Sequence, residues 1–161
     1  MADSLFVPLG DGRYQPTGLS RGPWSPNALH GGPTAALVAH AAETVLADSG
    51  ADAHLPVRLT LDLERAVPLA PLSVHAEIVR PGRKVQVAEV VIADDEGRRL
   101  ARASVLAIRR REMTLPDGLI RPVEPQIADR SVGQSSLDWD FPDDQLVFHA
   151  DGTEHRVVKG S

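Results

Sequence analysis

The apolar residues of this chain change their period twice. From about Pro33 to Asp48 nearly every position is Ala, Leu or Val, and the few polar ones are Thr34, His40, Glu43, Thr44 and Asp48. This run predicts one buried helix, with Gly50 placed to end it. Residues Val57 to Glu64 then alternate apolar and polar without a fault, and Leu72 to Ile78 do the same. Strict alternation puts one face of a strand against a core and the other in water. Val85 to Ala93 and Leu100 to Ile108 predict a third and a fourth strand. The alternation of the third slips near Ala88-Glu89, which predicts a bulge or burial on both faces. The fourth carries Ala101, Ala103, Val105 and Ala107 on one face, small enough for a helix to lie close. Arg80-Pro81-Gly82-Arg83 and Asp94-Asp95-Glu96-Gly97 are the turns between strands.

One long apolar helix followed by consecutive antiparallel strands predicts an α+β layer with the helix on the apolar face of the sheet. The helix is more apolar than one sheet face requires. A sheet curved around it, or a second copy of the domain, would supply the remaining cover. Outside this region the pattern weakens. Residues 1–29 are rich in Gly, Pro and turn formers, with one short strand expected near Arg13-Tyr14-Gln15-Pro16. Residues 111–150 contain Pro116, Pro122, Pro125 and Pro142 and the acidic, aromatic run from Asp138 to Asp144. They read as a linker or wrapping arm, and residues 151–161 as the start of another strand.

Composition narrows the chemistry. The 161 residues are 42% hydrophobic and 24% charged, as in a single globular domain with a sizeable core. A net charge of −5 argues against general nucleic-acid or anionic-membrane binding. The absence of cysteine excludes disulfides, a Cys-ligated zinc and a Cys nucleophile. Neither a signal peptide nor a bilayer-spanning run is evident, which makes a cytoplasmic protein the expectation. There is no P-loop, no dinucleotide glycine fingerprint, no metal-ligand spacing and no G-x-S-x-G.

The segment with most chemical promise is His30-Gly31-Gly32-Pro33, at the entrance of the helix. The first N–H groups of a helix lack intrahelical partners and carry the positive end of its dipole. They suit a carbonyl oxygen that gains negative charge, and glycine allows close approach. The alternative is a plain helix entrance with Pro33 at its first position. His30 either orients a ligand or caps the loop. His40 and Glu43 share a helix face and could hold a water as a general base, or form an ordinary surface pair. Arg80, Arg83 and Lys84, and the run Arg109-Arg110-Arg111, could meet phosphates or simply be solvated. Trp24 and Trp139 could line a ligand channel or pack in a core.

Phe6, Tyr14-Gln15-Pro16-Thr17, Gly22-Pro23-Trp24-Ser25, His30-Gly31-Gly32-Pro33, Arg58-Leu59-Thr60-Leu61-Asp62 and Arg80-Pro81-Gly82-Arg83 occur in this order and spacing. Over residues 5–110 the chain resembles the N-terminal half of the double-hotdog, type II acyl-CoA thioesterase-like proteins. The resemblance implies a hotdog fold, with a curved antiparallel sheet around one long central helix. It assigns residues 1–110 to the hotdog domain, 111–150 to the linker and 151–161 to the first strand of a second half. It also implies an acyl-CoA thioester substrate with coenzyme A as part of that substrate, no separate cofactor or metal, and either a homodimer or pairing with a second hotdog domain. The implied activity is hydrolysis, or binding, of the thioester at the helix N-terminus. A non-catalytic, acyl-thioester-binding or structural half-domain is the alternative.

The candidate catalytic residues are His30, Gly31, Gly32, His40 and Glu43, and the candidate coenzyme A contacts are Trp24, Arg80 and Arg83. In type II relatives the catalytic Asp, Thr and Gln lie mostly in the second half, so most of that site is expected outside these residues. Single-domain relatives carry a carboxylate about two turns into the helix, a place that here falls on Ala39 and His40.

Overall fold

Period-2 alternation becomes a six-stranded antiparallel sheet of order β1-β2-β4-β5-β6-β3. The strands are β1 Phe6–Gly10, β2 Arg13–Pro16, β3 His54–Leu63, β4 Leu72–Arg80, β5 Val85–Ala93 and β6 Arg99–Arg109. Among the described residues they are accompanied by two α-helices, α1 Gly31–Asp48 and the short α2 Phe148–Asp151, and a 3-10 turn at Gly18–Ser20. The structure, a computed structural model, describes residues 4–50, 54–112, 114, 116, 118, 119 and 145–153. Trp139 lies outside the described residues, as do residues 154–161 of the strand expected over 151–161; of its first three residues, Asp151 ends α2 and Gly152 and Thr153 are not in a strand.

Register aligns the apolar positions in rows. Ala76, Val90, Ala103 and Leu61 stand side by side across β4, β5, β6 and β3. With their neighbours they bury Leu37, Val38, Ala41 and Ala42 of α1. The next row belongs to the opposite face and is polar, with Glu77, Glu89, Ser104 and Thr60. There Glu89 forms an ion pair with Arg102. The α+β hotdog architecture is thus present: one long helix against one antiparallel sheet. The small side chains of Ala101, Ala103 and Ala107 are fully covered.

Four local features depart from the pattern. Strand β1 was not expected, because Pro8 and Gly10 lie within it; it is the outer strand of the sheet, where Pro is tolerated. Strand β5 is covered on both faces, as one of the two expectations had it: Ala88, Val90 and Ile92 are buried and the rest of the strand is half-buried. The irregularity falls in β4, between Ile78 and Arg80, opposite Ala88 and Val87. The helix starts at Gly31, so Pro33 is its third residue and not its first. Finally, the sheet covers one side of α1 only: Ala36, His40, Glu43, Thr44 and Ala47 are exposed.

Candidate functional site

The entrance to α1 is tied down from three directions. His30 N–H donates to the Ser20 carbonyl at 2.9 Å, Leu29 N–H to the Val67 carbonyl at 2.8 Å, and Gly22 N–H to the Ala28 carbonyl at 2.8 Å. Ser20, itself buried, donates its hydroxyl to the Leu5 carbonyl at 2.6 Å. His30 is the N-cap, and its Nδ1 accepts from Gly32 N–H at 3.0 Å. That bond requires a lone pair on Nδ1, so the neutral ring carries its proton on Nε2. Pro33 has no N–H. Thr34 N–H turns back to the His30 carbonyl at 3.4 Å, and the Thr34 hydroxyl donates to the same oxygen.

Of the first-turn donors, Gly31 N–H alone meets no acceptor among the described residues. No acidic side chain lies in that turn to neutralise the dipole. Gly31 lines a cavity of about 240 Å³ with Trp24, Leu29, Thr34, Leu63 and Val67. A side chain at Gly31 would meet open space. Sequence reasoning could not choose between Gly31 and Gly32 as donor; the His30 cap occupies Gly32 and leaves Gly31.

Rings crowd around His30. Trp24 stacks on it at 5.8 Å with an interplanar angle of 11°, although the indole itself is 82% exposed. Phe148 approaches at 5.1 Å and His149 at 6.2 Å. Both belong to the segment 145–153, where sequence patterning marked no functional residue. No local signal could have found them, since their partners lie more than a hundred positions earlier in the chain.

Burial disfavours a charged imidazole and, with the nearby charge of His149, holds His30 below the ordinary histidine value of 6.5. The unfolded chain therefore binds this proton more readily than the folded one. The contribution of His30 to stability is complete above pH 6.5 and is lost as pH falls below it towards the folded value. Thermal melts of the wild type should lose stability on acidification through this window. His30→Asn, which keeps a capping acceptor without a titrating group, should show a smaller loss. Parallel curves for the two proteins would refute the assignment.

The other candidates stand apart from this cavity. His40 lies about 13 Å further along the helix axis, exposed, with its ring edge-on to Tyr14 at 6.2 Å. Glu43 borders a separate groove with Leu46, His54, Pro56 and Arg110. No hydrogen bond joins His40 to Glu43. Arg83 and Lys84 share a groove of about 650 Å³ with Arg109, Arg110 and Arg111, and Arg80 is exposed at the end of β4. None of these six cations joins an ion pair among the described residues. Arg83 also lines a pocket with Ser49 and Gly50, beyond the C-terminal end of α1. The helix rise alone separates the two ends of α1 by about 25 Å. The structure thus brings His30, Gly31, Gly32 and Trp24 together, and places His40, Glu43, Arg80 and Arg83 elsewhere.

Among the described residues no cluster of His, Asp or Glu could hold a metal ion. Among the described residues no helix is long and apolar enough to cross a membrane.

Solved structures share the fold. A Bacillus halodurans protein solved with CoA aligns with a TM-score of 0.54 at 23% identity, over 60% of this chain and 68% of that one. A hypothetical thioesterase from Streptococcus pneumoniae, solved with coenzyme A, aligns at 0.55 and 22% identity, over 65% and 86%. A candidate thioesterase II from Thermobifida fusca aligns at 0.58 and 17% identity, covering 88% of this chain but 50% of its own length. No curated protein matches the chain by sequence. The family model that matches is that of the acyl-CoA thioesterase N-terminal domain, over residues 20–108. This match runs from the loop that anchors His30 to the end of the sheet, and the chain belongs to the acyl-CoA thioesterase N-terminal domain family.

Proposed function

We propose that this chain binds an acyl-CoA thioester with its carbonyl oxygen on Gly31 N–H, and that hydrolysis takes place there. The observation that carries the reading is the single open donor of the first helical turn beside an apolar cavity. Water adds to the carbonyl carbon, and the oxygen becomes an oxyanion held by a donor that is already oriented. Collapse of that intermediate breaks the C–S bond and releases coenzyme A thiol and a carboxylic acid. The acyl group lies among Leu29, Leu63 and Val67, with Trp24 at the exposed mouth.

The group that activates the water comes from a paired hotdog unit. Among the described residues the cavity is lined by Ser25, Thr34 and Arg65 but by no carboxylate or histidine, so they supply no general base on this side. Strand β3 is the outer strand beside β6, and it leaves Leu55, Val57 and Leu63 about half exposed. An apolar edge strand of this kind, the outermost among the described residues, favours pairing with another strand. A homodimer, or pairing with a second hotdog domain, would both cover it and complete the site. Given the separation along α1, Arg80 and Arg83 could serve the coenzyme A phosphates only of a substrate whose thioester lies in the paired unit.

Thiol release from a panel of acyl-CoAs tests this reading. Release above background supports hydrolysis. Stabilisation of the melting temperature by acyl-CoA without release would instead establish the second reading, a non-catalytic acyl-thioester-binding half-domain. That reading is favoured by one observation, the exposed and separated positions of His40 and Glu43.

A further inference from the structure

The segment 145–153 is anchored to the helix entrance by contacts of several kinds. Phe148 N–H donates to the Arg21 carbonyl at 2.9 Å, and the Arg21 guanidinium donates to the Leu146 carbonyl at 3.2 Å. Val147 is buried, and the Leu146 side chain lies over Gly18. Asp151 accepts from Val147 N–H at 2.6 Å and closes the short helix. A Cβ on Gly32 would stand 2.8 Å from the Phe148 ring and 3.1 Å from His30 Nδ1. A Cβ on Gly152 would stand 3.0 Å from the same ring. Both glycines therefore leave room for Phe148, and the ring fills the space beside the imidazole that caps α1.

We propose that Phe148 is a positioning residue, which packs beside the His30 ring, holds it as the cap of α1 and so leaves Gly31 as the one open first-turn donor among the described residues. The proposal rests on the thioester reading of Gly31 for its functional meaning, but the positioning itself is independent of it. Without the Phe148 ring, the imidazole loses both its packing and its shielding from water. A ring that leaves its place, or gains a proton on Nδ1, no longer accepts from Gly32 N–H. The first turn then has two open donors and no fixed direction for either.

Among the described residues, Arg21, Arg65, His149 and Asp151 are the charged or titratable side chains around this entrance. The Arg21 guanidinium is committed to the carbonyls of Pro26 and Leu146, and Asp151 to Val147 N–H. The charge that bears on His30 is that of His149.

The test uses Phe148→Ala, with Phe148→Tyr as the conservative variant and His149→Ala as a second probe that keeps the Phe148 ring. The readouts are the titration of the His30 ring by proton NMR, the exchange of Gly32 N–H, and kcat against KM. In Phe148→Ala the His30 midpoint should rise towards its ordinary value and Gly32 N–H should exchange faster. Its kcat should fall about tenfold or more with KM little changed. Phe148→Tyr should restore all three, and His149→Ala should raise the His30 midpoint alone. If Phe148→Ala lowers only the melting temperature, and leaves His30 and Gly32 unmoved, the segment is merely structural and the proposal fails. If Phe148→Ala does not fold, Phe148→Leu takes its place, and an unchanged exchange of Gly32 N–H in that variant overturns the proposal. Absence of hydrolysis in the wild type would remove the thioesterase reading while the NMR readouts still decide the positioning.

Discussion

Leu72→Ala is expected to destabilise the chain by about 2–5 kcal/mol. Leu72 is fully buried and among the largest side chains in the core. It opens β4 and stands across from Tyr14 of β2, where the β1–β2 hairpin joins the rest of the sheet. Truncation removes its transfer energy and leaves a cavity that the surroundings cannot close. Collapse is resisted by the backbone there, since Val74 N–H donates to the Gly12 carbonyl at 2.8 Å. A Cβ on Gly12 would stand only 2.8 Å from the Val74 carbonyl oxygen, so the hairpin cannot slide inward. In urea the midpoint should fall with little change in slope, and the melting temperature by roughly 5–15 °C. Val79→Ala, at a position 50% exposed on the same strand, should cost far less. Equal losses at the two positions would mean that Leu72 is not part of the main core.

The sheet and the helix were legible because burial imposes period on sequence. Leu59, Leu61, Val74, Ala76 and Ala103 alternate with polar neighbours, and with Val90, Ile92 and Ala101 they belong to the core around α1. What escaped was set by contacts rather than by period. The irregularity in β4 is masked because Ile78 and Val79 are both apolar, so no break in polarity marks the extra residue. Strand β1 depends on pairing with β2, not on its own pattern. The helix gains Gly31 and Gly32 because an imidazole can serve as a cap, although His is not among the preferred capping residues.

The site divides in the same way. His30, Gly31 and Gly32 were readable as a bare helix entrance, and Trp24 as an aromatic near it. Which of the two glycines stays open depends on a side-chain bond that the sequence leaves undetermined. Phe148 and His149 reach the entrance only through the tertiary fold. The spacing of His40 and Glu43 does put them on one helix face, but that face is exposed and lies beyond the cavity.

The second large effect follows from the lone donor. Gly31→Pro should remove the oxyanion contact while keeping the helix. Proline suits the first helical position, where its missing N–H breaks no intrahelical bond. His30 already has φ −71° and ψ 150°, the extended conformation that a following proline requires. A Cβ at Gly31 meets nothing within 4 Å. Gly31→Ala, in the same open space, keeps the N–H. The two variants therefore differ mainly in the donor. Loss of one such donor lowers kcat by about 100- to 1,000-fold in comparable sites, roughly 2.7–4 kcal/mol of transition-state stabilisation.

The most direct measurement is the rate of coenzyme A thiol release at saturating acyl-CoA by wild type, Gly31→Ala and Gly31→Pro, with all three shown to be folded. The wild type should release thiol, Gly31→Ala should do so at a rate within a few-fold, and Gly31→Pro should be slower by about 100-fold or more. Equal rates in all three, or no release above background by the wild type, would contradict hydrolysis at the Gly31 donor.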